Sequence, residues 1–294
     1  MKKTFVLLAI ILLGLCCSCG SATANFNSKY ISQMKAEHAG VKYIDTRELT
    51  QKYDVEIDAE ILYAIKDIVK EGLEDQDFSN LLNWEKFDRL GKLYYFQPEE
   101  EIIYPDKDVE AVIGNYIACY NDDDDSVEFF QQIWVLPDGF RTYVVMHEIS
   151  HSLLYSENKN QDLNNLIEGM TDLLATKAAY ATGRKPYASY NLQTYVVEWL
   201  GELYGMDFII ESLRSGSIAD FIDDQAYEGA TKDLNLALQR ASNGDPVATN
   251  AALEILCLMT RNSGNVSVGY TWTNTIAGIL NAEVDKRDVF QNLS

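Results

Sequence analysis

The chain has 294 residues, and its 47% hydrophobic content suffices for the buried core of one large domain or two small ones, which excludes a disordered or low-complexity polymer. With 45 acidic against 24 basic side chains the formal charge is −21, so there is no positive field to neutralise nucleic-acid phosphates or to hold anionic lipid headgroups. Nucleic acid is not an expected partner, and any membrane contact needs something other than a basic patch.

The N-terminus offers such a contact. Lys2 and Lys3 precede an apolar run from Phe5 to Cys17, too short to span a bilayer and ordered like a secretory signal. Two exits are available. Ala22-Thr23-Ala24 suits ordinary signal peptidase, with cleavage after residue 24; Ser18-Cys19-Gly20 resembles the box of bacterial lipoproteins, with cleavage after residue 18 and acylation of Cys19. The second is the expectation adopted: residues 1–18 form the signal, Cys19 carries lipid, and the protein is extracytoplasmic and held at the membrane only through that anchor, secretion being the alternative. Residues 19–55 are polar and mixed, and read as a tether and lead-in.

From Glu56 the spacing of Ile57, Ile61, Leu62, Ile65, Ile68 and Val69 predicts a helix over 57–73. Leu93 to Phe96, Val112 to Tyr120 and Val127 to Leu136 are rich in β-branched and aromatic residues and predict strands, the last two forming a hairpin around Asn121 and Asp122 to Asp125. The aspartate run lacks the alternating ligands and glycine of a calcium loop and reads as a solvated turn. Pro137-Asp138-Gly139 breaks the strand. Helices are expected over about 141–155, 164–181, 191–204, 206–214 and 246–262. The fold class is therefore α+β: an N-terminal part over 56–140, with a small sheet, packs on a mainly helical part over 141–294. The two internal cysteines, Cys119 and Cys257, are open to a disulfide or to two buried thiols, and His38, in the polar lead-in, is assigned no role.

The chemistry concentrates where these parts meet. His147-Glu148-Ile149-Ser150-His151 is H-E-x-x-H. Residues four apart on a helix differ by about 6 Å of rise and about 40° of rotation, so both imidazoles leave one face and can share one zinc ion. Glu148, one residue on, reaches a water on that ion rather than the ion itself, which suits a general base. Val144, Val145, Ile149 and Leu153 allow the helix to be buried around these groups, and two of the three histidines in the chain occupy the motif. Seventeen residues after His151 stands Glu168-Gly169-Met170-Thr171-Asp172. Glu168 offers a third ligand, and Asp172, one turn on, can accept the outer N–H of a ligating imidazole. Gly169 removes a side chain where the two helices approach.

These two segments resemble the gluzincin metallopeptidases, the thermolysin-like group in which H-E-x-x-H is followed by a Glu on a downstream helix, often as E-x-x-x-D. The likeness covers residues 140–181 closely and 187–205 loosely, the latter similar to the helix after the ligand helix in secreted or lipid-anchored bacterial relatives. It implies Zn2+ held by His147, His151 and Glu168, Glu148 as general base and Asp172 behind a ligand. A metzincin needs Gly at 154 and His at 157, where this chain has Leu154 and Glu157, and the G-x-M-E-N exopeptidase signature is absent. With no histidine after His151, the electrophile that gluzincins take from a His falls to a tyrosine, Tyr187, Tyr190 or Tyr195, of which Tyr190 is preferred. The strand Val127 to Leu136 stands where gluzincins hold the substrate backbone by strand addition, so the expected activity is hydrolysis of a peptide or protein by an endopeptidase. The rival is a non-catalytic surface-binding lipoprotein with a structural or vestigial zinc site. Such a site would close its fourth position with Cys or His, and neither lies near the motif.

Overall fold

The computed structural model describes residues 28–39, 51–56, 59–98, 118–121, 125–130, 138–156, 160–187, 190–242, 244–279 and 284–293. The signal segment, both cleavage sites, Cys19, Asp122 to Asp124 and the strand positions expected over 112–117 and 131–136 lie outside these residues. Within them the protein is mostly helical with one small sheet, an α+β arrangement. No helix among the described residues is long and apolar enough to cross a membrane.

The stretch expected to be a tether departs first from the sequence reading. Lys29–His38 is a helix, α1, and Gln51–Glu56 is a strand, β1. Only two apolar side chains of α1 are buried, Ile31 and Met34, so its own pattern is too thin to announce a helix. Its partners lie far along the chain: Glu254 accepts from the Ile31 N–H at 3.2 Å near one end, and Arg240 donates to the Met34 carbonyl at 3.1 Å toward the other. The buried Glu254 carboxyl accepts from the backbone near the start of α1 and the Arg240 guanidinium donates to it further on, so both tie the helix to distant parts of the chain.

Helix α2 (Ala59–Leu73) follows, with Leu62, Ile65, Val69 and Leu73 on its buried face. Helix α3 (Trp84–Arg89) leads into strand β2 (Lys92–Pro98). Strands β3 (Ala118–Asn121) and β4 (Ser126–Phe130) form the expected hairpin, with Tyr120 opposite Val127 and Asn121 opposite Ser126. The sheet order is β1-β2-β4-β3, with β2 and β4 parallel. Strand β4 is therefore paired on both sides, and the expectation that it presents a free substrate edge is corrected: among the described residues the open edge on this side belongs to β3. Asp125, at the hairpin turn with φ 56°, is paired with Lys86 and Arg89 of α3 rather than standing free in solvent.

Helix α4 (Asp138–Ser150) carries the H-E-x-x-H segment and tightens into a 3-10 turn, His151–Leu154. After the short turn Gln161–Leu163 come α5 (Asn164–Ala181), α6 (Asn191–Tyr204), α7 (Met206–Ser215), α8 (Ile218–Gln225) and α9 (Ala230–Ala241). Then follow α10 (Pro246–Asn262), α11 (Val266–Ile279) and the short α12 (Lys286–Phe290). Helix α10 starts at Asp245, whose carboxylate accepts from the Val247 and Ala248 N–H groups, with Pro246 in the first turn. Every residue from Ala248 to Thr260 is buried, so α10 is a central post, and α1, α9, α11 and α12 pack on it. Its Cys257 is a buried free thiol.

Two close helix contacts position the functional region. A Cβ on Gly72 of α2 would stand 2.5 Å from the Ala178 Cα of α5, and one on Gly169 of α5 would stand 2.5 Å from the Gln193 carbonyl carbon of α6. The expectation for Gly169 is thus corrected in its partner: the close approach is to α6, not to the H-E-x-x-H helix.

Candidate metal centre

Helices α4, α5 and α6 bring the sequence-picked residues together. His147 and His151 face each other with ring centroids 5.1 Å apart and planes at 83°. Although His151 opens the 3-10 turn, Ser150 before it stays helical at φ −70° and ψ −19°, so the four-residue spacing still places both rings on one side. From α5, Glu168 points its Oε2 between them, 3.1 Å from His147 Nε2 and 3.5 Å from His151 Nε2.

The outer nitrogens are both engaged. His147 Nδ1 lies 3.2 Å from Asp172 Oδ1, and His151 Nδ1 lies 3.2 Å from Thr171 Oγ1. The Asp172 carboxylate can only accept, so His147 Nδ1 carries the proton of that contact; the Thr171 hydroxyl pairs with His151 Nδ1 in either direction, and both Nε2 atoms face Glu168. Asp172 is fully buried and also accepts from Tyr143 at 2.8 Å, from the Thr194 hydroxyl at 3.3 Å and from the Tyr190 N–H at 3.4 Å. A buried carboxylate is tolerated there because four donors converge on it.

The electrostatics follow from this crowding. Burial of His147 works against its charged form, but the carboxylates of Asp172 and Glu168, with Glu148 nearby, outweigh burial and push its pKa up to about 10. Burial likewise opposes ionisation of Glu168, yet His151 and His147 beside it hold its carboxyl well below the usual range. Glu168 therefore stands as a carboxylate ready to coordinate, and a cation taken up here displaces the proton between His147 and Glu168.

The donor set fits zinc. Ligand atoms about 2.0–2.1 Å from a tetrahedral ion are about 3.3 Å apart, and the two Nε2-to-Oε2 separations of 3.1 and 3.5 Å bracket that edge. The histidines and Glu148 also form a metal-capable group whose ligand atoms all lie within 4.8 Å of one another. Glu168 is not in that group, but its Oε2 reaches both imidazoles from the opposite helix. Glu148, adjacent in sequence to His147, has a carboxylate oxygen within 4.8 Å of a ring nitrogen of each histidine. Side-chain exposure rises from 7% at His147 to 18% at His151 and 30% at Glu168, so the cluster opens to solvent on the Glu168 side.

Of the three tyrosines, Tyr190 lies at the centre: its ring stacks on His147 with centroids 5.3 Å apart and planes at 21°. Tyr187 packs edge-on against Tyr143, and Tyr195 against Trp272 of α11. His38 sits half-buried at the end of α1, on the α9–α10 side of the molecule. Sequence reasoning missed Thr171, Tyr143 and Thr194; the first two carried a signal in their helical spacing from Glu168 and His147. No protein-family model, no curated protein and no solved structure matches this chain.

Proposed function

We propose that the chain is a zinc-dependent peptide hydrolase of gluzincin type, an endopeptidase held outside the cell through Cys19. One observation carries the reading: both Nδ1 atoms are occupied by α5 side chains while both Nε2 atoms converge on Glu168 Oε2 at tetrahedral edge lengths. His147, His151 and Glu168 would hold the ion, which when bound supplies a Lewis acid for the scissile carbonyl and lowers the pKa of water. Glu148 takes the proton from the attacking water and passes it to the leaving amine. Asp172 and Thr171 keep the imidazoles turned inward. Tyr190 donates a hydrogen bond to the oxyanion. The edge of β3, open among the described residues and packed against α4, would take a substrate strand. A purely structural zinc site would be closed by further Cys or His ligands, and among the described residues the metal-capable group has no Cys and no His beyond His147 and His151.

The test uses metal analysis together with a peptide-library digest. Wild type is expected to hold about one zinc per chain and to cleave in a chelator-sensitive way. Glu148→Gln should keep zinc and lose hydrolysis by about 10³-fold or more, whereas Glu168→Ala should lose both. Equal zinc loss in both variants would overturn the division of roles, and a zinc-loaded wild type that cleaves nothing would overturn the enzyme reading.

A further inference from the structure

The spacing of the metal centre continues one step past the residues that chelation needs. On α4 and the turn after it, Tyr143, His147 and His151 follow at four-residue intervals; on α5, Glu168, Asp172 and Thr176 do the same. The helices run antiparallel here, so each residue meets its opposite number in reverse order: His151 with Glu168, His147 with Asp172, Tyr143 with Thr176. Diagonal contacts join the steps, His147 to Glu168 at 3.1 Å and Tyr143 to Asp172 at 2.8 Å. The result is a continuous polar ladder through an otherwise apolar helix interface.

We propose that Tyr143 is a positioning residue of the metal centre, fixing the Asp172 carboxylate so that His147 presents Nε2 to the ion. The proposal rests on the metal-centre reading above and adds a residue to it. Directionality in the ladder is forced. An ionised carboxylate can only accept, so the Tyr143 hydroxyl donates to Asp172 Oδ1, the same oxygen that receives His147 Nδ1–H. Thr176 Oγ1, 2.8 Å from the Tyr143 oxygen, then donates to it. Tyr143 makes the shortest of the four side-chain and backbone contacts to this carboxylate, 2.8 Å against 3.2, 3.3 and 3.4 Å. Without it, Oδ1 is held by the imidazole alone, and the carboxylate is fixed only by the longer contacts of Oδ2 to Thr194 and the Tyr190 N–H. Burial, and then the charge of Asp172, push the Tyr143 ionisation far above neutrality, so it remains a donor across the working range.

The experiment measures zinc affinity by chelator competition and metal-free thermal stability in wild type, Tyr143→Phe, Asp172→Asn, the double variant and Thr176→Val. Tyr143→Phe is expected to weaken zinc binding by about 10-fold. The double variant should bind no more weakly than Asp172→Asn alone, since Tyr143 acts through Asp172. Thr176→Val should give a smaller loss that also vanishes in the Asp172→Asn background. Wild-type zinc affinity in Tyr143→Phe, or losses that multiply in the double variant, would overturn the proposal while leaving the metal centre intact. A wild type that binds no zinc would remove the metal-centre reading itself and this one with it. Should Tyr143→Phe fail to fold, Thr176→Val decides: an affinity equal to wild type overturns the inference.

Discussion

His147 is held from three directions: Asp172 behind it, Glu168 in front, and the Tyr190 ring flat against its face. Its pose is set by neighbours on α5 and α6 more than by its own helix. Both partners are buried, so removing the charged acceptor of His147 should cost more than removing the neutral hydroxyl beside His151. Asp172→Asn is expected to weaken zinc affinity by roughly 10–100-fold. Thr171→Val, which removes the partner of the half-buried His151, should weaken it less, and the same titration checks both. Tyr190 separates packing from chemistry. Tyr190→Phe keeps the ring against His147 and the backbone N–H on Asp172 but loses the hydroxyl, so zinc content should hold while kcat falls by about 10² with little change in KM. A Phe variant with undiminished kcat would mean that Tyr190 serves the site only through its ring and backbone.

At the level of helices, the centre depends on α5 being wedged between α4, α2 and α6. Gly169 illustrates how. In an ordinary helix Gly→Ala is favourable by about 1 kcal/mol. Here the added Cβ would meet the backbone of Gln193 at 2.5 Å, and a backbone cannot rotate away as a side chain can. The clash wins: Gly169→Ala should destabilise the fold by about 1–3 kcal/mol in urea unfolding and, by pushing α6 from α5, move Thr194 and Tyr190 off Asp172 and lower zinc affinity. The boundaries of the expected helices were largely legible, whereas no helix was expected at α1, α3, α8, α9 or α12. The expected 191–204 and 246–262 coincide with α6 and α10, because each has an apolar face and, for α10, an Asp-Pro start. Helix α11 was not. Its Val, Thr and Tyr residues have weak helical preference and announce no helix, but Gly269 fits against Leu293 and Thr260, and this packing outweighs intrinsic preference.

Across the whole molecule, the buried Glu254 ties the N-terminal helix to the central one, and the tie is pH-dependent. Burial raises its carboxyl to about 7, against hydrogen bonds from the α1 backbone that pull it down. Between the ordinary carboxyl value of 4.5 and about 7 the unfolded chain has lost this proton and the folded chain has kept it, so stability falls as pH rises through that window and levels off above it. Glu254→Gln has no proton to lose. The stability difference between Glu254→Gln and wild type should be flat below pH 4.5, grow by an amount on the order of 3 kcal/mol up to about pH 7, and then stay constant. Denaturant unfolding at a series of pH values checks it, and the slope rather than the offset carries the result. A difference independent of pH would show that Glu254 ionises as an exposed carboxylate does.

What the sequence by itself determined is local. Four-residue spacing placed His147 with His151 and Glu168 with Asp172, because a helix turns nearly the same amount wherever it lies. Strand alternation and a polar turn placed the hairpin. What depends on groups distant in the chain was left to the tertiary structure. The partners of a strand are a matter of backbone pairing, so β4 became interior and β3 the edge once β2 took its place beside them. A polar ten-residue segment is held as α1 by the Glu254 carboxyl on α10 and the Arg240 guanidinium on α9, which hydrogen-bond its backbone. And Tyr143 joined the centre only because α4 and α5 run antiparallel, which turns two separate four-residue repeats into one ladder of hydrogen bonds.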